Sequence, residues 1–448
     1  MPGGRRPPGH KGELDMENKK QEQDISLISA NFGVKGWGML ILTFLCIFLD
    51  SSLINDSLNV VIDVFAGQNG WNTGMLYGFS TITAWIAVAG AALWGVLSSK
   101  ISIRWSWAIS LLITGIACLF WGRASSPVVY FICLAVSAVG GMGFCYICSL
   151  NVVSNWFPRK KGIAMGWVTI GFPLSAAVTS NLMGNIVAHG GLPAVYTIYA
   201  AASFVLCALV AIFVRDYPEQ AGAFPDNNHK FDSEEAKKEL ALGLEYMKTS
   251  PWTVKKLFST GKVWVIGLSL GVMELLSLGI MTNFVPRMIQ AGYVDEHGGP
   301  APIIFAMLGI AGILACLGSV GCGILDAKLG PKKAIQITMC TAIIAIVLNL
   351  IPTTPTKFLS LPFLAIMLGG AANYLVSLTN TIWGRYDFPM AYKVLKPMVA
   401  AVGALGVSIV GIIGRSASYA AAYGVLAVLT VIALILVSTV DDTMIGRN

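Results

Sequence analysis

The sequence predicts an all-α integral membrane protein, with twelve transmembrane helices in two pseudo-symmetric six-helix halves. Three observations predict it. First, apolar residues make up 55% of the 448-residue chain and charged residues only 12%. A soluble chain needs about a quarter charged residues to cover its surface. Second, twelve apolar segments follow one another, at roughly 36–64, 73–97, 104–122, 128–155, 162–187, 193–214, 262–290, 301–326, 333–351, 361–384, 390–414 and 417–439. About 20 helical residues span ~30 Å of hydrocarbon. Third, the cations alternate. Of the thirty Lys and Arg, only Arg123, Arg287, Lys357 and Arg415 fall in odd-numbered loops. By the positive-inside bias both termini are then cytoplasmic. One missed helix would scramble the alternation, so it also supports the count. The net charge of +7 follows from these short loops, and no nucleic-acid partner is expected.

In chain order, residues 1–35 are polar and charged and read as a disordered cytoplasmic tail. Met16 is an alternative start. No cleavable signal is expected, because the first apolar run is long and carries Asp50. The N-terminal six-helix half covers 36–214. Within it, the apolar run from Gly143 stops at Trp156-Phe157-Pro158, and Arg159, Lys160 and Lys161 form a basic loop. A glycine-spaced run then re-enters from Gly162. Residues 215–261 form a cytoplasmic linker. A charged helix opens there at Ser233-Glu234-Glu235, and Pro251-Trp252 and Leu257-Phe258 read as interfacial anchors. The C-terminal half covers 262–440, and 441–448 form a cytoplasmic C-terminus. All nine cysteines lie inside apolar runs and their count is odd, so they read as packing residues without disulfides.

The second half partly repeats the first at an offset of 228 residues. Gly95–Arg104 falls on Gly323–Lys332, and Tyr146, Ser149 and Leu150 fall on Tyr374, Ser377 and Leu378. Both matches sit at equivalent places of their six-helix groups, as in a duplicated unit. Parallel repeats of this kind place a substrate site near the midplane between the halves.

On these residues the chain resembles the major facilitator superfamily over nearly its full length. Gly95–Arg104 is similar to that family's loop 2–3 signature, with Ser99 and Ser102 where Asp and Gly are usual. In the second copy Asp326 stands one place before the usual aspartate position, Ala327. Trp156-Phe157-Pro158, the basic run and Gly162-Ile-Ala-Met-Gly166 resemble loop 4–5 of the monocarboxylate and oxalate/formate branches. So does Tyr217-Pro218-Glu219-Gln220-Ala221-Gly222 after helix 6. The resemblance implies a secondary transporter for small organic acids that works by alternating access. Relatives that carry dianions use fixed central cations, and helix 8 here (Ala301 to Asp326) has no embedded arginine.

Ionisable groups in a bilayer cost at least ~2.5 kcal/mol at the helix centre, so each calls for a reason. Asp50 lies ~21 Å along helix 1 and Glu274 ~18 Å along helix 7, both near mid-membrane. The repeat maps Asp50 onto Leu278, on the same helical face as Glu274. These are the candidate proton-coupling residues, since burial favours the neutral form of a carboxyl. The alternative is a carboxylic acid satisfied by neighbouring hydroxyls. Candidate substrate-binding residues are Tyr146, Ser149, Asn151, Asn373, Tyr374, Ser377, Asn380 and Lys396. Asn373, Ser377 and Asn380 share one face. They suit either a solute chamber or helix–helix hydrogen bonds. Lys396, a turn or two inside helix 11, suits either a substrate carboxylate or a snorkelling position. Candidate gating residues are Asp56, Asp63 and Arg287 at the outer end, with Arg104 and Asp326 in the signature loops. Solvated helix ends are the competing reading of the outer three.

The function expected is proton-coupled transport of a monocarboxylate or related organic acid. The alternative is proton-coupled transport of a neutral, zwitterionic or cationic solute. No nucleophile, nucleotide loop or metal-ligand spacing stands out, so neither an enzyme nor a cofactor is expected. The partners expected are a small-molecule substrate and membrane lipid. A monomer in the plasma (inner) membrane is the expected form.

Overall fold

The computed structural model describes residues 27–229, 233–296 and 300–446. Most of the expected tail, Met16 and Arg447 lie outside the described residues.

The described residues form helices joined by short turns, numbered here α1 to α12 for the twelve spans. In the N-terminal half, α1 runs through Gly33–Asp50, a wide π-turn at Ser51–Asp56, and Leu58–Asn69. Next come α2 (Thr73–Lys100) and α3 (Ile103–Trp121). α4 joins Pro127–Gly141 to Cys148–Trp156 through a second π-turn, Met142–Ile147. α5 covers 161–190 and α6 covers 192–213. In the C-terminal half, α7 is Gly261–Gln290, α8 Pro302–Leu329 and α9 Pro331–Leu350. α10 covers 354–383, α11 covers 385–416, and α12 is Tyr419–Ser438.

Local chemistry explains many of the boundaries. Asn72, Ser102, Ser126 and Ser418 each accept from the backbone N–H three residues on, which caps α2, α3, α4 and α12. Pro302 and Pro331 open their helices, where a missing N–H costs nothing. The continuous helical runs Gly171–Phe213 and Asn373–Ser416 are each two spans, divided at Gly191 (φ 69°) and Gly384 (φ 70°). Only glycine takes that backbone without strain.

Two boundaries differ from the sequence reading. α10 begins at Thr354, so Lys357 is buried inside a helix and not in a loop. α11 begins directly after Gly384, so Arg385 belongs to that helix and not to a loop, and Lys393 and Lys396 lie deeper in it than expected. The expected tail also contributes structure, since Phe32 is buried against Phe157 and Trp37. Cys145 and Cys148 have Cys-x-x-Cys spacing, but both are buried in α4, and all nine cysteines are free. Large apolar side chains such as Leu93, Phe120, Leu317 and Ile412 face outward, as in a helix bundle surrounded by lipid.

Linker and described termini share one end of the bundle. Lys35 donates to the Ala221 carbonyl, Lys160 to that of Asn31, and Lys262 pairs with Asp441 at 3.8 Å. Directly after α6 the linker straps the N-terminal half. Asp216 accepts from the N–H groups of Ile103 and Arg104 at the start of α3 (3.1 and 2.8 Å). Asp226 does the same for Arg159 and Lys160 ahead of α5. A carboxylate at a helix N-terminus satisfies orphan donors and complements the dipole. Burial raises both carboxyls above the usual carboxylate range, and the amides they accept from pull them back. The helix Ser233–Thr249 then crosses to the other half. There Tyr246 and Ser250 donate to Asp387, and Trp252 meets Trp383.

Candidate functional site

The two halves meet at the linker end. A β-carbon on Gly323 of α8 would stand 2.6 Å from the Gly162 carbonyl oxygen, so α5 and α8 touch backbone to backbone. Beside that contact Thr169 of α5 bonds to Ser319 of α8 and Asn373 of α10. Asn380 donates to Ser154 of α4 and accepts from Lys161 at 3.5 Å. Lowest in the seam, Arg385 of α11 grips Glu219 with two N–H groups at 2.8 and 2.9 Å. Its Nε donates to the Asn155 carbonyl at 3.0 Å. Glu219 and Asn155 belong to the other side of the seam. Arg385 and Glu219 side chains are only 7% and 2% exposed, so this bidentate pair is sealed from water. Toward the opposite end, among the described residues, α1 and α7 make at most a marginal contact. The cleft between the halves is therefore closed at the linker end and open at the other.

At the closed floor of that cleft lies an ion pair. Lys396 of α11 donates to both oxygens of Glu274 of α7, at 3.1 and 2.9 Å. Its Nζ also lies 4.2 Å from the centre of the Tyr146 ring, a cation–π contact with the N-terminal half. The lysine side chain is 4% exposed and the glutamate 26%, so Glu274 is the more accessible member of the pair. Tyr146 sits in the π-turn of α4, stacked on Phe172 of α5 at 5.8 Å. Tyr392, one turn before Lys396, donates to the Tyr146 carbonyl at 3.3 Å. Asp50 immediately precedes the π-turn of α1. It is 5% exposed, packed on Gly141 and met by the Cys145 thiol. Both π-turns thus fall where the site is built, and such turns often mark functional positions.

The structure brings Asp50, Tyr146, Glu274 and Lys396 into one neighbourhood. Lys396 does not snorkel: it lies eleven residues into the range 385–416, ~17 Å along the helix. Glu274 is accordingly not an isolated carboxylate, and its cation comes from α11.

The other named residues lie elsewhere. Asn373, Ser377 and Asn380 are fully buried, and Asn373 and Asn380 bond within the seam. Tyr374 bonds to Thr338 of α9 at 2.8 Å. Ser149 and Asn151 return hydrogen bonds to carbonyls of their own helix.

At the open end, Arg287 makes no ion pair with Asp56 or Asp63. It is turned into its own half and donates to Asn349. Asp56 accepts from Ser51 and Ser175, and Asp63 is exposed. The Arg104 guanidinium lies on the Trp105 ring, and Asp326 packs against Gly162 in the seam. Sequence reasoning missed Glu219 and Arg385. The available signal was a glutamate directly after Pro218 and an arginine directly after Gly384.

Twelve spanning helices in two halves, sealed at one end over a charged midplane site, define a membrane transporter that works by alternating access. The chain matches the Major Facilitator Superfamily over residues 40–387 and belongs to that family. It is 23% identical over 271 residues to the oxalate:formate antiporter of Oxalobacter formigenes. That match covers 58% of this chain and 57% of the antiporter, so it spans little more than half of the relative's length. Two solved structures share the fold at 14% identity. The human organic anion transporter MFSD10 (TETRAN) superposes with a TM-score of 0.67, covering 90% of this chain and all of that one. The proton:xylose symporter XylE, bound to 6-bromo-6-deoxy-D-glucose, gives 0.70 over 89% and 94%.

Proposed function

We propose that this transporter moves a small organic monocarboxylate together with a proton. One observation carries the reading: the cation of the site, Lys396, is buried and held by a carboxylate, Glu274, that is itself partly exposed. A substrate carboxylate entering from the open end finds Lys396 already engaged. It binds by taking the place of Glu274. Displaced from its cation in a low-dielectric site, the Glu274 carboxylate is neutralised by a proton. Solute and proton then load together, and the net charge of the site stays constant while the cleft closes over them. Asp50, close behind Tyr146, is the second proton candidate. The single cation favours a monoanion over a dianion, which would need two. The distant likeness to an oxalate:formate antiporter supports the organic-acid class.

A second reading rests on the two carboxylates and on the stacked faces of Tyr146 and Phe172. In it a zwitterion splits the pair, with its amine on Glu274 and its carboxylate on Lys396. Counterflow in proteoliposomes with labelled acetate, lactate, oxalate and glycine separates the readings. Under the first, the monocarboxylates exchange and an inward proton gradient accumulates them. Exchange of glycine alone selects the second, and exchange of neither class overturns both.

A further inference from the structure

We infer that Lys393 is a second solute-binding cation, which takes the carboxylate of the organic anion on the linker side once that end of the cleft opens. The inference rests on the organic-acid reading above and starts from what one face of α11 touches. Arg385 donates to the Asn155 carbonyl, Tyr392 donates to that of Tyr146, and Lys396 lies on the Tyr146 ring. Lys393 belongs to the same set. Its stem packs across the seam onto Gly95 of α2, where a β-carbon would collide with it. All four reach residues of the N-terminal half. In alternating access the halves part along this contact when the linker end opens. The face of α11 that meets α2 and α4 then becomes a wall of the linker-side cleft.

α11 starts at the linker end, and Lys393 precedes Lys396 by three residues. That places it ~4.5 Å nearer the linker end and about 60° around the helix, so the two side chains are neighbours. They differ in what holds them. Lys396 is committed to Glu274. Lys393 is half-buried, and among the described residues it forms no ion pair. α2 supplies no carboxylate one turn on from Gly95. Ser99 stands there, and its hydroxyl donates to the Val96 carbonyl of its own helix. A lysine stem covers apolar surface while its ammonium stays hydrated, and an ammonium offers three N–H donors to an anion. Two like charges one turn apart also repel weakly, and an anion beside them relieves that. When Glu274 recaptures Lys396, the released carboxylate meets the Lys393 ammonium on its way out. A carboxylate arriving from the linker side meets it first.

The test is exchange of labelled acetate or lactate in membrane vesicles of both orientations carrying the full protein. Titrating the unlabelled solute on one side at a time gives a half-saturating concentration for each side. Lys393→Met keeps a stem over Gly95 and removes the ammonium. It should raise the linker-side value roughly tenfold, the weight of one charge-assisted contact, and leave the value at the other side unchanged. Lys393→Arg should bring the linker-side value back. Equal values for Lys393→Met and the unmodified protein overturn the inference. So does an equal rise on both sides, which is what a purely structural lysine would give. If the unmodified protein exchanges neither solute, the organic-acid reading fails and this inference falls with it; exchange without a one-sided change overturns this inference alone.

Discussion

Glu274 and Lys396 have unequal parts in the proposed exchange, and single substitutions expose the difference. Glu274→Gln leaves Lys396 free for solute. It should preserve solute exchange but abolish accumulation driven by a proton gradient. Full gradient-driven accumulation in that variant would sink the assignment. Lys396→Gln removes the anion receptor, and solute exchange itself should fall at least about 100-fold, which corresponds to ~2.7 kcal/mol. Its destabilisation should stay below the ~3–5 kcal/mol of a fully buried broken pair, because Glu274 is 26% exposed. Asp50 and Glu274 were legible in the sequence, since a carboxylate in an apolar run announces itself. The pairing was not. It depends on which faces of α7 and α11 meet, 122 residues apart in sequence, and neither helix alone contains that. The face shared by Asn373, Ser377 and Asn380 was likewise legible as a polar face. Whether it meets cleft or seam depends on how α10 is rotated in the bundle, and one helix's periodicity does not contain that.

At the scale of elements, the closed end is secured by α11, the stretch after α6 and the α5–α8 glycine contact. Arg385→Ala leaves Glu219 buried without its partner and removes the bond to Asn155. The balance should then shift toward forms open at the linker end. A cysteine placed beside Tyr146 in this variant should react faster with an impermeant thiol reagent applied from the linker side, and slower from the other side. Unchanged labelling from both sides would mean that the pair does not lock the seam. Gly323→Leu tests the contact independently, since any side chain there meets the Gly162 carbonyl, and it should shift labelling in the same direction. Asp216→Ala and Asp226→Ala remove helix caps, each worth roughly 1 kcal/mol. They should lower Tm by a few degrees without changing sidedness. The linker helix was readable from its charges and its opening residues. Glu219 and Arg385 were not, because they are 166 residues apart in sequence and each looks locally like an ordinary loop charge.

For the whole molecule, the duplicated six-helix plan was the most legible feature. Hydropathy and alternating cations are one-dimensional signals that survive without tertiary information. Both described ends of the chain and the linker lie at one end of the bundle, and from the cation bias we propose that this end is cytoplasmic. Tags near the N-terminus, in 215–261 and at the C-terminus should therefore report the cytoplasm. A tag in loop 70–72 should report the far side. A linker tag read from outside would reverse the orientation and, with it, the direction in which the open cleft faces.

The seam between the halves combines glycine contacts, apolar packing from both sides, a few hydrogen bonds and one ion pair. Such a joint must part and re-form in every cycle, so it cannot be what makes each half fold. Each six-helix bundle then carries its own stability, and the covalent tie between them serves encounter more than architecture. Cutting the gene between the codons for residues 229 and 233 should give two fragments that insert separately and complement one another when co-expressed. Their recovered activity should be limited by how often the fragments meet in the membrane, and raising the expression of either should restore it.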